Sequence, residues 1–128
     1  MSQVQNLIQE IPVAHASEML AKDLKEYGVD VTYINVRSIT EIIIHVPKDV
    51  EMPIYTGFTG IFEYQGLHID FDRTNVNIEL KNGIVYEFRN VIPYFYEKEN
   101  VLKIYACENL SKVSIYDINK IINILLTM

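Results

Sequence analysis

Cysteine occurs once in the 128 residues, as Cys107, so neither an internal disulfide nor a thiolate zinc site can be assembled. Tryptophan is absent, and five glycines and four prolines are too few for a collagen-like, low-complexity or linker-rich chain. Cations are scarce as well. Eleven Lys and Arg stand against seventeen Asp and Glu, a formal charge of −6, which disfavours non-specific binding of duplex DNA. Uncharged stretches such as Ile121 to Met128 fall far short of the roughly 18 apolar residues that a membrane span requires. Met1 to Asn6 shows neither the basic nor the apolar region of a secretory signal, so a cytoplasmic protein with no membrane association is expected.

What the chain does contain is β-prone bulk: nineteen Ile, twelve Val, nine Tyr and five Phe. A chain of this length buries roughly two-thirds of the surface that its unfolded form exposes, enough for one core. With no repeat or linker to mark a boundary, residues 1–128 read as a single domain. The acidity is spread, with −3 over residues 1–30, −1 over 31–60, −3 over 61–100 and +1 over 101–128. It solubilises the surface and can present a negative face to a basic partner.

The periodicities order the elements. Val4, Leu7, Ile8 and Ile11 fall at helical spacing up to Pro12, and Ala16, Met19, Leu20, Leu24 and Tyr27 continue a second helical stripe that Gly28 closes. Alternation then begins at Val29 and stops at Arg37-Ser38. Thr40 to Val46, centred on three isoleucines, reads as a strand covered on both faces. Strands are expected over Ile54 to Tyr64 and Leu67 to Asp72, and over Val76 to Leu80 paired with Ile84 to Phe88 across Lys81-Asn82-Gly83. Val91 to Tyr96 and Val101 to Cys107 form another pair around Glu97 to Asn100, and Ser114 with Asp117 is expected to cap a C-terminal helix from Ile118. No helix alternates with these strands. The fold class is therefore α+β: an N-terminal helix, a mainly antiparallel bent sheet or small barrel of about 6–8 strands, and a C-terminal helix.

Two constellations carry chemistry. On the strand His68-Ile69-Asp70-Phe71-Asp72, period-2 geometry sets His68, Asp70 and Asp72 on one face. Imidazole with carboxylates suits Mg or Mn, and Glu79 or Glu87 on the neighbouring hairpin would complete the shell of a divalent-metal-dependent hydrolase or nuclease. Plain polar-out, apolar-in alternation accounts for the same pattern with no metal. The second constellation is aromatic: Tyr94, Tyr96 and Tyr105 crowd the late strands beside Glu97 and Glu99. Stacking platforms for single-stranded nucleic acid sit in positive grooves, whereas carboxylates flank these tyrosines, so core packing or a protein interface fits better.

His15, His45 and Cys107 have no sequence-adjacent partner that would make them catalytic, and Cys107 is expected to be a small buried residue. Gly57-Phe58-Thr59-Gly60 lacks the Lys-Ser/Thr of a phosphate loop and is expected to bend the sheet. Gly57, Gly60, Phe71-Asp72 and Asn75 resemble an Sm-like RNA-binding barrel. The resemblance lapses where that family's Asn falls on Val76 and where its late basic-Gly pair has no counterpart between Val101 and Leu110.

The expectation is a small non-enzymatic protein-binding module, an inhibitor or adaptor that needs no cofactor and acts through an acidic, Tyr-rich surface on a basic protein partner. The excess of Ile over nine Leu fits an AT-rich viral or mobile-element source. A C-terminal helix apolar over a wide arc, with Ile121, Ile122, Leu125 and Leu126, points to a homodimer built on this helix and the late strands.

Overall fold

The computed structural model describes residues 5–50 and 55–128. Its ten strands form two antiparallel sheets, which do not close into a barrel, and two α-helices accompany them. The larger sheet contains six strands: β1 (Gln9–Ile11), β4 (Thr59–Tyr64), β5 (Leu67–Asp72), β6 (Asn75–Glu79), β7 (Ile84–Arg89) and β10 (Lys112–Asp117), in the order β1-β10-β7-β6-β5-β4. The smaller contains β2 (Val31–Val36), β3 (Ile39–His45), β8 (Val91–Tyr96) and β9 (Val101–Cys107), in the order β2-β3-β9-β8.

Alternation along each strand decides what faces inward. Register aligns Phe62, Ile69, Ile78, Tyr86 and Ile115 in one row of the larger sheet, with Phe71, Val76, Phe88 and Val113 in the next. The smaller sheet supplies Ile42 opposite Ile104, and Ile44 opposite Leu102. These inner faces share one core, in which each fully buried Leu, Ile or Phe contributes about 1.5–3 kcal/mol.

Helix α1 (Val13–Lys25) fills the same core through Val13, Ala16, Leu20 and Leu24, which recur at helical spacing, and it packs against β2, β3 and β10. Buried Ser17 is satisfied by donating to Val13 O at 2.9 Å. Gly28, at φ +71°, ends the segment as expected, in the left-handed conformation that a residue without Cβ adopts cheaply. At the far side, the β8 main chain ties the sheets together: Val91 N–H donates to Thr74 O at 2.9 Å and Phe95 N–H to Gly57 O at 2.7 Å.

Several expectations need correction. The helical spacing of Leu7, Ile8 and Ile11 does not make a helix: a 3-10 turn at Gln5–Leu7 leads into β1, because pairing of Ile11 with Val113 satisfies the backbone better than a short β-branched helix would. Val4 lies outside the described residues. Ser114 caps nothing; it is buried within β10, a strand absent from the sequence reading, and Asp117 alone caps α2 (Ile118–Leu126) by accepting from Asn119 N–H and Lys120 N–H. β3 is covered on one face only.

The strand expected from Ile54 begins at Thr59, Ile54 itself lying outside the described residues. In the β6–β7 hairpin only Gly83 takes a positive φ, +94°, so Lys81-Asn82-Gly83 form a three-residue loop with glycine in the left-handed position. No helix among the described residues is long and apolar enough to cross a membrane.

Candidate functional site

The same alternation that builds the core presents two outer faces of opposite character. On the larger sheet, three cross-strand rows are legible: Glu10–Ser114–Glu87–Asn77–Asp70–Ile61, Lys112–Arg89–Asn75–Asp72–Thr59, and Tyr116–Val85–Glu79–His68–Glu63. The sequence-singled His68, Asp70 and Asp72 do share this face, but they stand in three successive rows, about 7 Å apart along the strand. His68 Nδ1 lies 2.9 Å from Glu63 Oε1 on β4, and Glu79 is its cross-strand neighbour on β6.

Glu87 is engaged elsewhere: it accepts from the Tyr116 hydroxyl at 3.1 Å and lies 3.6 Å from Arg89, which also reaches Ser114 Oγ at 3.0 Å and Glu10 at 3.4 Å. Burial, then the Glu87 carboxylate, raises the Tyr116 pKa and keeps its hydroxyl neutral. Among the described residues, no three His, Cys, Asp or Glu side chains converge on a point that could hold a metal ion. Apart from the half-exposed Ile61 at its β4 edge and the buried Val85, the face is made of local polar pairs.

The outer face of the smaller sheet is apolar and aromatic. Ile34, Val36, Ile39 and Ile92 are 52%, 60%, 57% and 55% exposed. Among the described residues one ion pair crosses it, Lys103 Nζ to Glu41 Oε1 at 3.2 Å. This reverses the polar-out rule for a one-sided antiparallel sheet.

At the β8 end the apolar face grades into a hollow of about 310 Å³, lined by residues of two segments: Tyr55, Thr56 and Gly57 from the loop before β4, and Tyr94 to Glu99 from β8 and its following turn. Tyr94, Tyr96, Glu97 and Glu99, all singled out in the sequence, meet here. Tyr94 and Tyr96 lie 4.8 Å apart between ring centres, and Phe58 meets Tyr94 edge-on at 4.8 Å. Tyr105 joins from β9, its hydroxyl 3.2 Å from that of Tyr96. Burial first, then the Tyr96 hydrogen bond and the Glu41 charge, raise the Tyr105 pKa. The neighbouring Glu97 carboxylate is the main cause of a raised pKa at Tyr55. These hydroxyls are neutral hydrogen-bonding tips at physiological pH. Lys103 Nζ stands 5.0 Å from the centre of the Tyr96 ring, a cation–π contact within the molecule.

Sequence reasoning read Gly57 and Phe58 only as part of a bend and did not single out Tyr55 or Thr56. The bend is there: Thr56 Oγ1 accepts from Thr59 N–H at 3.1 Å. No periodicity indicates that the bend folds against β8. The histidines outside β5 are peripheral, His15 on the exposed side of α1 and His45 exposed at the end of β3. Cys107 is half-buried opposite Ile39 rather than buried. Comparison with protein-family models, curated proteins and solved structures finds no match.

Proposed function

We propose that this chain is a small protein-binding module, an inhibitor or adaptor, whose docking surface is the Tyr-rich hollow at the β8 end of the smaller sheet and whose partner is a basic protein segment. The observation that supports this reading is the convergence of Tyr55, Tyr94 and Tyr96 with Glu97 and Glu99 around one hollow. Tyrosine offers contact area with a polar tip and little rotamer entropy to lose, which suits an interface. Two carboxylates against the cation Lys98 at the rim favour Lys or Arg over Asp or Glu and steer their approach. The Lys103 contact with Tyr96 illustrates the chemistry, with one ammonium shared between a tyrosine ring and a carboxylate, that of Glu41.

The test is fluorescence anisotropy with labelled Lys/Arg-rich peptides and matched Asp/Glu-rich peptides. Basic peptides are expected to bind in a salt-dependent manner, and the double substitution Glu97→Lys with Glu99→Lys is expected to weaken them by about tenfold, the sum of two partly exposed ion pairs. Equal binding of acidic and basic peptides, or no effect of the double substitution, would refute the assignment.

A further inference from the structure

Of the long sheet edges, β8 and β2 differ in what their backbones do. The β8 edge is closed by Phe95 N–H bonded to Gly57 O and Val91 N–H bonded to Thr74 O. β2 pairs with β3 alone. Arg37-Ser38 form a two-residue hairpin turn, so Val36 and Ile39 are a bonded pair, and bonding alternates back through Ile34 and Thr32. Val31, Tyr33 and Asn35 therefore direct their N–H and C=O groups away from β3, where no backbone partner is found among the described residues. Edge strands are usually guarded by a charge, a proline or a bulge, or covered by a helix. Helix α1 packs against β2 and places Lys22 and Lys25 beside its Asp30–Val31 end, so the open stretch is the part towards Val36. Val31-Thr32-Tyr33-Ile34-Asn35-Val36 contains no charged residue, Pro or Gly, and its pairing with β3 is continuous.

We infer that this edge is occupied by a second copy of the same chain, with β2 pairing antiparallel to its symmetry mate about a two-fold axis to give one continuous sheet. Three features select a copy over a foreign strand. An uncharged, β-branched and aromatic six-residue segment has the composition that pairs with itself. The flanks are complementary: Asp30 precedes the strand and Arg37 follows it, so an antiparallel two-fold brings Asp30 of each copy to within one residue of Arg37 of the other at both ends, whereas a parallel pairing would set like against like. Self-association of a chain with a formal charge of −6 is opposed by repulsion, and β2 is a stretch where that repulsion is least. A two-fold centred on Ile34 also keeps inner residues opposite inner ones and sets the exposed Ile34 side chains against each other, with Thr32 facing Val36. This inference is independent of the aromatic hollow.

Light scattering over a concentration series up to about 100 µM tests it. The wild-type chain is expected at twice its 14.9 kDa, Ile34→Lys at the monomer mass, and Leu125→Lys on the exposed side of α2 at the wild-type mass. Ile34 is half exposed and outside the core, so its replacement leaves the monomer folded, as circular dichroism will show. A second measurement uses the unaltered chain: exchange of the Tyr33 and Asn35 amides is expected to slow as concentration rises. A monomeric wild type, a dimer abolished by Leu125→Lys but not by Ile34→Lys, or concentration-independent exchange at Tyr33 and Asn35 would each overturn the inference.

Discussion

The two sheets share one core and obey the same inward rule, yet their outer faces have opposite chemistry. The larger sheet turns rows of carboxylates, amides and hydroxyls outward, partnered by Arg89, Lys112 and His68 in the same rows. The smaller turns out Ile34, Val36, Ile39 and Ile92 around the Lys103–Glu41 ion pair. Inner-face burial stabilises both alike, so stability does not explain the difference. Four half-exposed β-branched residues and a tyrosine cluster on one side of a small protein form a contiguous apolar surface, and the proposed docking function rests on it.

The strongest way to break this comparison is to ask whether the cores are separate. Phe88→Ala on the larger sheet is expected to cost about 3–5 kcal/mol and Ile104→Ala on the smaller about 2–5 kcal/mol, since both side chains are fully buried in the shared core. Chemical denaturation should show one transition in each variant. Two separated transitions would mean that the sheets are independent units.

The glycines of the bend sharpen the contrast between packing and surface. A Cβ at Gly60 would collide with the ring of Phe71, which is buried and cannot yield, so Gly60→Ala is expected to cost about 1–3 kcal/mol. A Cβ at Gly57 would collide with the ring of Tyr94, which is half exposed and can swing outward. Gly57→Ala is therefore expected to lose less stability than Gly60→Ala while weakening basic-peptide binding, because it opens the hollow.

Tyr86 tests the link between α1 and the larger sheet. Its ring is fully buried and its hydroxyl donates to Asp23 at 2.5 Å; burial first, then this bond and the Asp23 charge, raise its pKa. A raised pKa favours the neutral hydroxyl in the folded chain. That contribution is complete below the ordinary tyrosine pKa near 10 and is lost as pH rises above it, where the unfolded chain releases a proton that the folded chain keeps. Tyr86→Phe is expected to cost about 1 kcal/mol at neutral pH and to flatten the alkaline decline in stability measured by denaturant melts. The smallest effects belong to the outer faces: Ile39→Ser and Asp70→Asn should each change stability by no more than about 0.5 kcal/mol, showing that neither face is maintained for folding.

Much of this architecture could be read along the chain. Leu67–Asp72, Val91–Tyr96 and Val101–Cys107 have the limits that alternation predicts, and Gly28 closes the α1 segment. These elements are legible because each is set by a local rule: a period, a turn residue, or a conformation open to glycine. β1 and β10 were not legible. Ile11 and Val113 are distant in sequence, and only their pairing makes either segment a strand, which overrides the helical spacing before Pro12 and the capping pattern at Ser114.

The same division holds for the surfaces. By itself the sequence determined that β5 would place His68, Asp70 and Asp72 on one face, that Tyr94 and Tyr96 would share a face of β8, and that acidic residues would follow them, since these relations are short-range consequences of strand and turn geometry. Tertiary structure alone decided that His68 meets Glu63, that the loop carrying Tyr55 and Gly57 folds against β8 to complete the hollow, and that the outer face of the smaller sheet stays uncovered. Those outcomes depend on which strands become neighbours and on where α1 packs. That choice is made by burial summed over the whole core, a quantity that no local window of the sequence contains.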